Sequence, residues 1–298
     1  MISKLFYYLA NKNHRHSSIA QTVAETLQRH FSNIQQPVLI EPVDGGTLGI
    51  SFVVNMNGKR SFVKTHLPGE PCKDNIIKEI KILTSLYNEL NIQQLDLCIG
   101  SSVQTYLLMD ELTYPKQEPN IAVVQDLIRG YSAQLNKFQD TDYVSSQYTF
   151  PNLLNLGQKA LRELLEKQLI SQVIHDVVLP YFDLLNSLIP DLRPVLCHGD
   201  LSNKNIMLKD GKMIVIDWED AFWGVEDYDY LYWLTFFNNR KYYSQNIFKG
   251  SYYDKRKQIS ILLLILILKS YLSYLMDTYS TNSLSFDQRL REILILAE

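Results

Sequence analysis

The chain has 298 residues, of which 46% are hydrophobic and 20% charged, with a formal net charge of −3. That balance excludes wholesale disorder, allows one large core or two smaller ones, and argues against a dedicated nucleic-acid binder, which needs a concentrated basic face. The three cysteines, Cys72, Cys98 and Cys197, lack metal-ligand spacing and read as reduced thiols of a cytoplasmic protein.

The N-terminal stretch Met1 to Ala10 has a lysine and a short apolar run, and is too short for a secretory signal. An amphipathic helix is predicted from about Ile19 to Phe31, followed by a strand at Val38-Leu39-Ile40 that runs into Asp44-Gly45-Gly46-Thr47-Leu48-Gly49. Ile50 to Met56 and Ser61 to Thr65 flank Asn57-Gly58, a strong short hairpin signal. Ile76, Ile77, Ile80, Leu83 and Leu86 recur at helical spacing, so Asp74 to Leu90 reads as a helix. Strand-like segments at Leu95 to Ile99 and Tyr106 to Met109 complete a small sheet, and Tyr114-Pro115 breaks the pattern.

The remainder is mostly helical. Ala122 to Phe138 reads as one helix and Leu156 to Leu179 as a second, continuous one, interrupted only at Pro180. Gln139 to Asn155 lacks a period and is expected to be a surface insertion. The run Ile261 to Leu268 meets Lys269 after eight residues, far short of the ~20 that a membrane span needs. A buried helix is the better reading, and membrane contact is not expected. A strand-rich front and a helix-rich back make an α+β chain, divided near residue 112 into a front part, 1–112, and a back part, 113–298.

The most informative stretch is Cys197-His198-Gly199-Asp200-Leu201-Ser202-Asn203-Lys204-Asn205, followed by Ile214-Val215-Ile216-Asp217-Trp218-Glu219. Phosphoryl transfer from a nucleotide needs a carboxylate near the acceptor hydroxyl and oxygen ligands for Mg²⁺. Asp200 supplies a weak base for a proton that becomes acidic only as the new bond forms. Asn205 offers a neutral oxygen to a hard cation, and Asp217 ends an apolar strand where a second oxygen ligand is needed. His198, after Leu196 and Cys197, reads as a packed histidine that holds the loop. Asp229 could cap its helix or brace that loop from beneath.

In the front part, Gly45 and Gly46 form a turn whose N–H groups could cover phosphates, though such glycines also serve as plain turns. Lys64 shares a strand face with Phe62, and alternation does not settle whether that face is buried. Glu79 lies on the apolar side of the next helix, where it could pair with Lys64 or join Lys78 and Lys81 in a surface cluster. Asp110 to Leu112 could offer backbone groups to an adenine edge, as could any interlobe linker.

His198-Gly199-Asp200-Leu201 with Asn205, then Ile216-Asp217-Trp218-Glu219 and Tyr228-Asp229-Tyr230-Leu231, resembles the aminoglycoside phosphotransferase and choline kinase family, a branch of the protein-kinase-like fold. The resemblance spans about residues 38–235. It implies a bilobal fold with a small antiparallel-sheet N-lobe and a larger helical C-lobe. It implies Asp200 as the catalytic aspartate, Asn205 and Asp217 as Mg²⁺ ligands, and Lys64 as a phosphate anchor paired to Glu79. Gly45 and Gly46 would sit over the phosphates of ATP, and Asp110 and Leu112 would present backbone groups to adenine.

Two residues depart from that pattern. Lys204 stands where relatives often have a small residue, and Asn136 replaces a histidine at the end of the helix after the linker. The family phosphorylates hydroxyls of small molecules, so an aminoglycoside, an amino alcohol such as choline, or a sugar is the expected acceptor. Trp218, Phe222, Trp223, Tyr228, Tyr230, Tyr232 and Trp233 could present faces to a quaternary ammonium or pack as core. Glu219, Asp220, Glu226 and Asp227 could receive an aminoglycoside's ammonium groups or be solvated. Two rivals stand beside a small-molecule kinase: a catalytically silent kinase-like binding module, and a kinase of a membrane-associated lipid or envelope sugar. The presence of Lys64, Asp200, Asn205 and Asp217 together argues against the silent module. The donor (ATP or GTP) and the oligomeric state are left open.

Overall fold

The computed structural model describes residues 17–32, 38–43, 49–66, 70–137, 144 and 149–298. The front part is a five-stranded antiparallel sheet in the order β1-β2-β3-β5-β4, built from β1 (Val38–Val43), β2 (Gly49–Met56), β3 (Lys59–His66), β4 (Gln93–Ile99) and β5 (Ser102–Asp110). Asn57 and Gly58 both have positive φ (51° and 81°), the backbone a two-residue hairpin needs to match strand twist. Helix α1 (Ser17–Ser32) lays Val23, Leu27 and Phe31 on one sheet face, against Phe52, Val54, Val63 and Tyr106. Helix α2 (Glu70–Leu86) covers the other, where Ile76, Ile80 and Leu83 join Leu107 and Met109 in the main core. Val63 therefore points to α1, and its neighbours Phe62 and Lys64 point to α2. This resolves the alternation that the strand pattern left open.

The back part is helical, with α3 (Ile121–Leu135), α4 (Phe150–Glu166), α5 (Gln172–Leu188), α6 (Tyr228–Leu234), α7 (Lys255–Leu275) and α8 (Phe286–Ile295). Two short antiparallel pairs accompany them, β6 (Pro194–Cys197) with β9 (Phe222–Val225) and β7 (Ile206–Lys209) with β8 (Lys212–Val215). Helix α7 is the one described helix long and apolar enough to cross a membrane. In the fold it runs through the core, with every residue from Gln258 to Leu268 buried against α4, α5, α6 and α8. Gly157 allows α4 to approach it, because a Cβ there would overlap the Leu264 side chain.

One expectation is corrected. Leu156 to Leu179 is not a single helix but the end of α4 and the start of α5. Leu169 N–H bonds Leu164 O (2.9 Å) and Gln168 N–H bonds Leu165 O (2.8 Å), with Gln168 left-handed at φ 56°, so α4 closes in a Schellman-type turn. Ser171 then caps α5, its Oγ accepting from Ile174 N–H at 3.3 Å. The break changes the phase of the apolar stripe, which leaves Val173 61% exposed. Pro180 lies inside α5 on its exposed side, where the carbonyl it frees can meet water. Of the expected surface insertion, 139–143 and 145–148 lie outside the described residues, and Phe150 to Asn155 belong to α4.

Candidate active site

Two clusters meet where the sheet faces the β6–β7 loop. In the first, the Lys64 ammonium, buried on β3, donates to Glu79 Oε2 at 2.7 Å and Asp217 Oδ1 at 2.5 Å, and stands 3.2 Å from Glu219 Oε2. Glu79 is therefore a partner of Lys64 and not a surface charge. Burial works against the Lys64 ammonium, but Asp217, Glu219 and Glu79 outweigh it and hold its pKa well above the usual range. Burial also pushes the Glu79 and Glu219 carboxyls up, against the pull of Lys64. Burial and the mutual repulsion of the carboxylates around Lys64 thus disfavour the charged forms of Glu79 and Glu219.

Asp217 enters the cluster from a left-handed conformation at φ 68°, ψ 52°. That conformation is uncommon for a residue with a Cβ and is tolerated best by Asp and Asn. It ends β8 abruptly and turns Trp218 to Asp220 into one 3₁₀ turn. Lys78 anchors this turn. Fully buried on α2 beside Glu79, it donates to Ala221 O at 2.9 Å.

The second cluster is the loop after β6. Gly199 has φ 82°, and a Cβ on it would overlap the Asp220 carbonyl oxygen, so only glycine fits. Asp229, at the start of α6, accepts from His198 N–H (2.7 Å), Gly199 N–H (3.0 Å) and the Tyr131 hydroxyl (2.6 Å). Of its two predicted roles, it braces the loop. His198 is fully buried. Its Nδ1 accepts from Asp200 N–H (3.2 Å) and its Nε2 meets Ile216 O (2.8 Å), which ties the loop to the segment carrying Asp217. Asn205 adds a second tie, with its carbonyl accepting from Ile216 N–H at 2.9 Å.

Asp200 projects from this frame. Its Oδ1 accepts from the Tyr232 hydroxyl at 2.5 Å, and its backbone carbonyl accepts from Asn205 Nδ2 at 2.9 Å. Because Asn205 spends its amide nitrogen on that bond, its Oδ1 is directed elsewhere. With the partly exposed Asp217 carboxylate it offers the oxygen-only set that a hard divalent cation takes. The oxygens of Glu79, Asp217 and Glu219 also lie within 4.8 Å of one another, but the Lys64 ammonium already stands among them.

Of the other predicted residues, Gly45 and Gly46 lie outside the described residues. Asp110 is buried at the end of β5, its carboxylate held by Asn91 (2.9 Å) and Lys209 (3.1 Å). Leu112 is buried next to Thr113, which exchanges two backbone hydrogen bonds with Leu208 (3.1 and 2.7 Å) and so stitches the linker to β7. Lys204 is exposed and lines a small cavity with Asn203, Tyr114 and Glu118. Asn136 caps α3 and does not brace the loop. Tyr131, five residues earlier on that helix, does.

The acidic group after Asp217 is not a single surface: Glu226 and Asp227 line a cavity with Arg193, Tyr230 and Tyr252, and the other two turn inward. Glu219 faces Lys64 and Asp220 is buried, while Asp227 holds the backbone N–H groups of Tyr252 (3.0 Å) and Tyr253 (2.9 Å). Glu226 pairs with Arg193 at 3.3 Å. Nor are these acids plainly solvated. The sequence names Tyr232 only as an aromatic ring and misses its hydroxyl as the partner of Asp200. Its one signal was the spacing of three from Asp229, which puts both on one helix face toward the loop.

A small antiparallel sheet joined to a helical lobe, with these two clusters between them, defines a mixed α+β, protein-kinase-like fold. Solved structures share that fold. The crystal structure of a thermostable mutant of aminoglycoside phosphotransferase APH(4)-Ia, in ternary complex with AMP-PNP and hygromycin B, matches with a TM-score of 0.61 at 15% identity, over 91% of this chain and 99% of that one. Amicoumacin kinase hAmiN, in complex with AMP-PNP, Ca²⁺ and Ami, matches with 0.57 at 13% identity, over 95% and 94%. A microcompartment-associated aminopropanol kinase matches with 0.50 at 14% identity, over 91% and 94%. Compared by sequence with curated proteins, the chain has no match. The model of the phosphotransferase enzyme family matches residues 41–245, and the chain belongs to that family.

Proposed function

We propose that this protein transfers the γ-phosphoryl group of ATP to a hydroxyl of a small molecule. One observation carries the reading: Asp200 is tied through His198 and Asn205 to the segment at Ile216 that carries Asp217, and Asp217 in turn holds Lys64 from far away in the sequence. In this reading Lys64, held by Glu79, anchors the donor phosphates, with the linker at Asp110 to Leu112 beside the base. Asn205 and Asp217 would hold Mg²⁺, which supplies neutralisation of the phosphate charge when bound. Asp200, oriented by Tyr232, accepts the acceptor's hydroxyl proton. Residues 1–112 then serve the nucleotide and 113–298 the acceptor, in a cytoplasmic enzyme.

Family membership supports phosphotransfer, and the relatives whose names carry AMP-PNP with hygromycin B or amicoumacin support a nucleotide donor and a small acceptor. The test is ADP release from Mg-ATP over a panel of hygromycin B, aminopropanol, choline and neutral sugars. At least one acceptor should stimulate release, and Asp200→Asn should lower it by about 10³-fold. A protein whose melting temperature Mg-ATP does not move, and which releases no ADP with any acceptor, would refute the reading.

A further inference from the structure

The aromatic residues after Asp217 include two rings that could hold a cation beside the candidate base, and the chain has filled that place itself. Lys269, on α7, puts its ammonium 3.4 Å from the centroid of the Phe236 ring and 4.2 Å from that of Tyr232. The same ammonium donates to Thr235 Oγ1 at 2.9 Å. The two rings meet edge to face at 5.7 Å and 70°, forming a corner, and Lys269 is the lid of that corner. Tyr232 is also the residue whose hydroxyl reaches Asp200 Oδ1, so the corner adjoins the position where an acceptor hydroxyl would react.

A second cation reinforces the first. Arg289, buried on α8, donates from its Nη2 to Thr235 O at 2.5 Å, with its guanidinium 4.6 Å from the Phe237 ring. The turn that ends α6 is thus approached by an ammonium on its side chain and a guanidinium on its carbonyl. Nearby charges engage one another: Arg240 pairs with Glu292, and Lys241 lies 3.3 Å from Glu118. A ligand cation entering this corner would have to displace the Lys269 ammonium from both rings and from Thr235.

We propose that Lys269 is a specificity residue. It occupies the aromatic corner beside Asp200 with the chain's own ammonium, so the site rejects quaternary ammonium acceptors and takes acceptors that are uncharged or anionic next to the reacting hydroxyl. This rests on the phosphotransfer reading for the identity of the reacting position, but the occupied corner itself can be tested without turnover.

The experiment compares wild-type protein, Lys269→Ala and Lys269→Met by calorimetric titration with trimethylammonium and choline. Trimethylammonium is about the size of the atoms that the alanine variant removes. Wild-type protein should show no saturable binding. Lys269→Ala should bind trimethylammonium at least tenfold more tightly, roughly the ratio a desolvated cation–π contact carries. Lys269→Met, whose stem still fills the corner, should behave as wild type. Saturable binding of either cation to wild-type protein as tight as to Lys269→Ala would overturn the proposal, and so would failure of a folded Lys269→Ala to bind. If the alanine variant does not fold, the wild-type titration decides.

In the acceptor panel, neutral sugars should outpace choline and aminopropanol. Choline turned over as fast as a sugar would overturn the inference while supporting phosphotransfer. Silence of every acceptor would count against phosphotransfer and leave the titrations to judge Lys269.

Discussion

Lys78 offers a quantitative test of how α2 is held against the turn after Asp217. Burial pushes its ammonium down to about 8 from an ordinary 10.5, although Asp220, Glu219, Glu79 and Asp74 all pull it upward. Between those two pH values the unfolded chain binds more protons than the folded one. Stability therefore rises with pH across that window as the folded state sheds its buried charge. Below pH 8 the whole cost is present, about 3 kcal/mol at 1.36 kcal/mol per pH unit. A neutral amine can still donate to Ala221 O, so the anchor outlasts the charge.

Lys78→Met has no such proton. Urea unfolding of both proteins from pH 7 to pH 10.5 should show wild type gaining on the variant by about 3 kcal/mol, with nearly all the gain above pH 8. Taking the difference cancels the tyrosines and other groups that titrate in both. A difference that stays flat across the window would refute the reasoning. It would mean that the Lys78 ammonium remains charged and well compensated, and that α2 is held by an ion pair.

Three further outcomes follow from the loop geometry. Asp200→Asn should lower acceptor-stimulated ADP release by about 10³-fold, ~4 kcal/mol of barrier, while fluorescence titration shows nucleotide affinity unchanged; wild-type-like turnover would remove Asp200 from its role. Asp229→Ala deletes three hydrogen bonds and leaves two buried N–H groups without their acceptor. A loss of about 3–5 kcal/mol is expected in urea melts, against ~1–2 for Tyr131→Phe, which loses one bond. Gly199→Ala combines a left-handed φ with overlap of the Asp220 carbonyl, so it should displace the loop and abolish ADP release even where circular dichroism shows the helices retained.

Much of the front part was legible because its signals are local. Asn57-Gly58 dictates a turn by its own backbone preferences, and the helical spacing of Ile76, Ile80 and Leu83 marks a buried face whatever lies opposite. The end of α4 was not legible. Gln168 takes a left-handed conformation that its residue type does not advertise, so the stripe of Leu161 to Ile174 read as one helix. The apolar run at Ile261 was legible as a helix, and its place at the centre of the back part follows from its having no polar face to show water.

In the candidate site, sequence by itself determined which residues could do chemistry. Asp200, Asn205 and Asp217 sit in one short stretch, where a loop and a hairpin bring them close with little help from the rest of the chain. Tertiary structure alone decided what surrounds them. Lys64 meets Asp217 across 153 positions, Tyr131 meets Asp229 across 98, and Lys269 lies against a ring whose hydroxyl reaches Asp200. No local preference encodes such pairings. They arise when separate faces pack on a shared core, and burial then forces each polar group to find a partner from whatever segment arrives beside it.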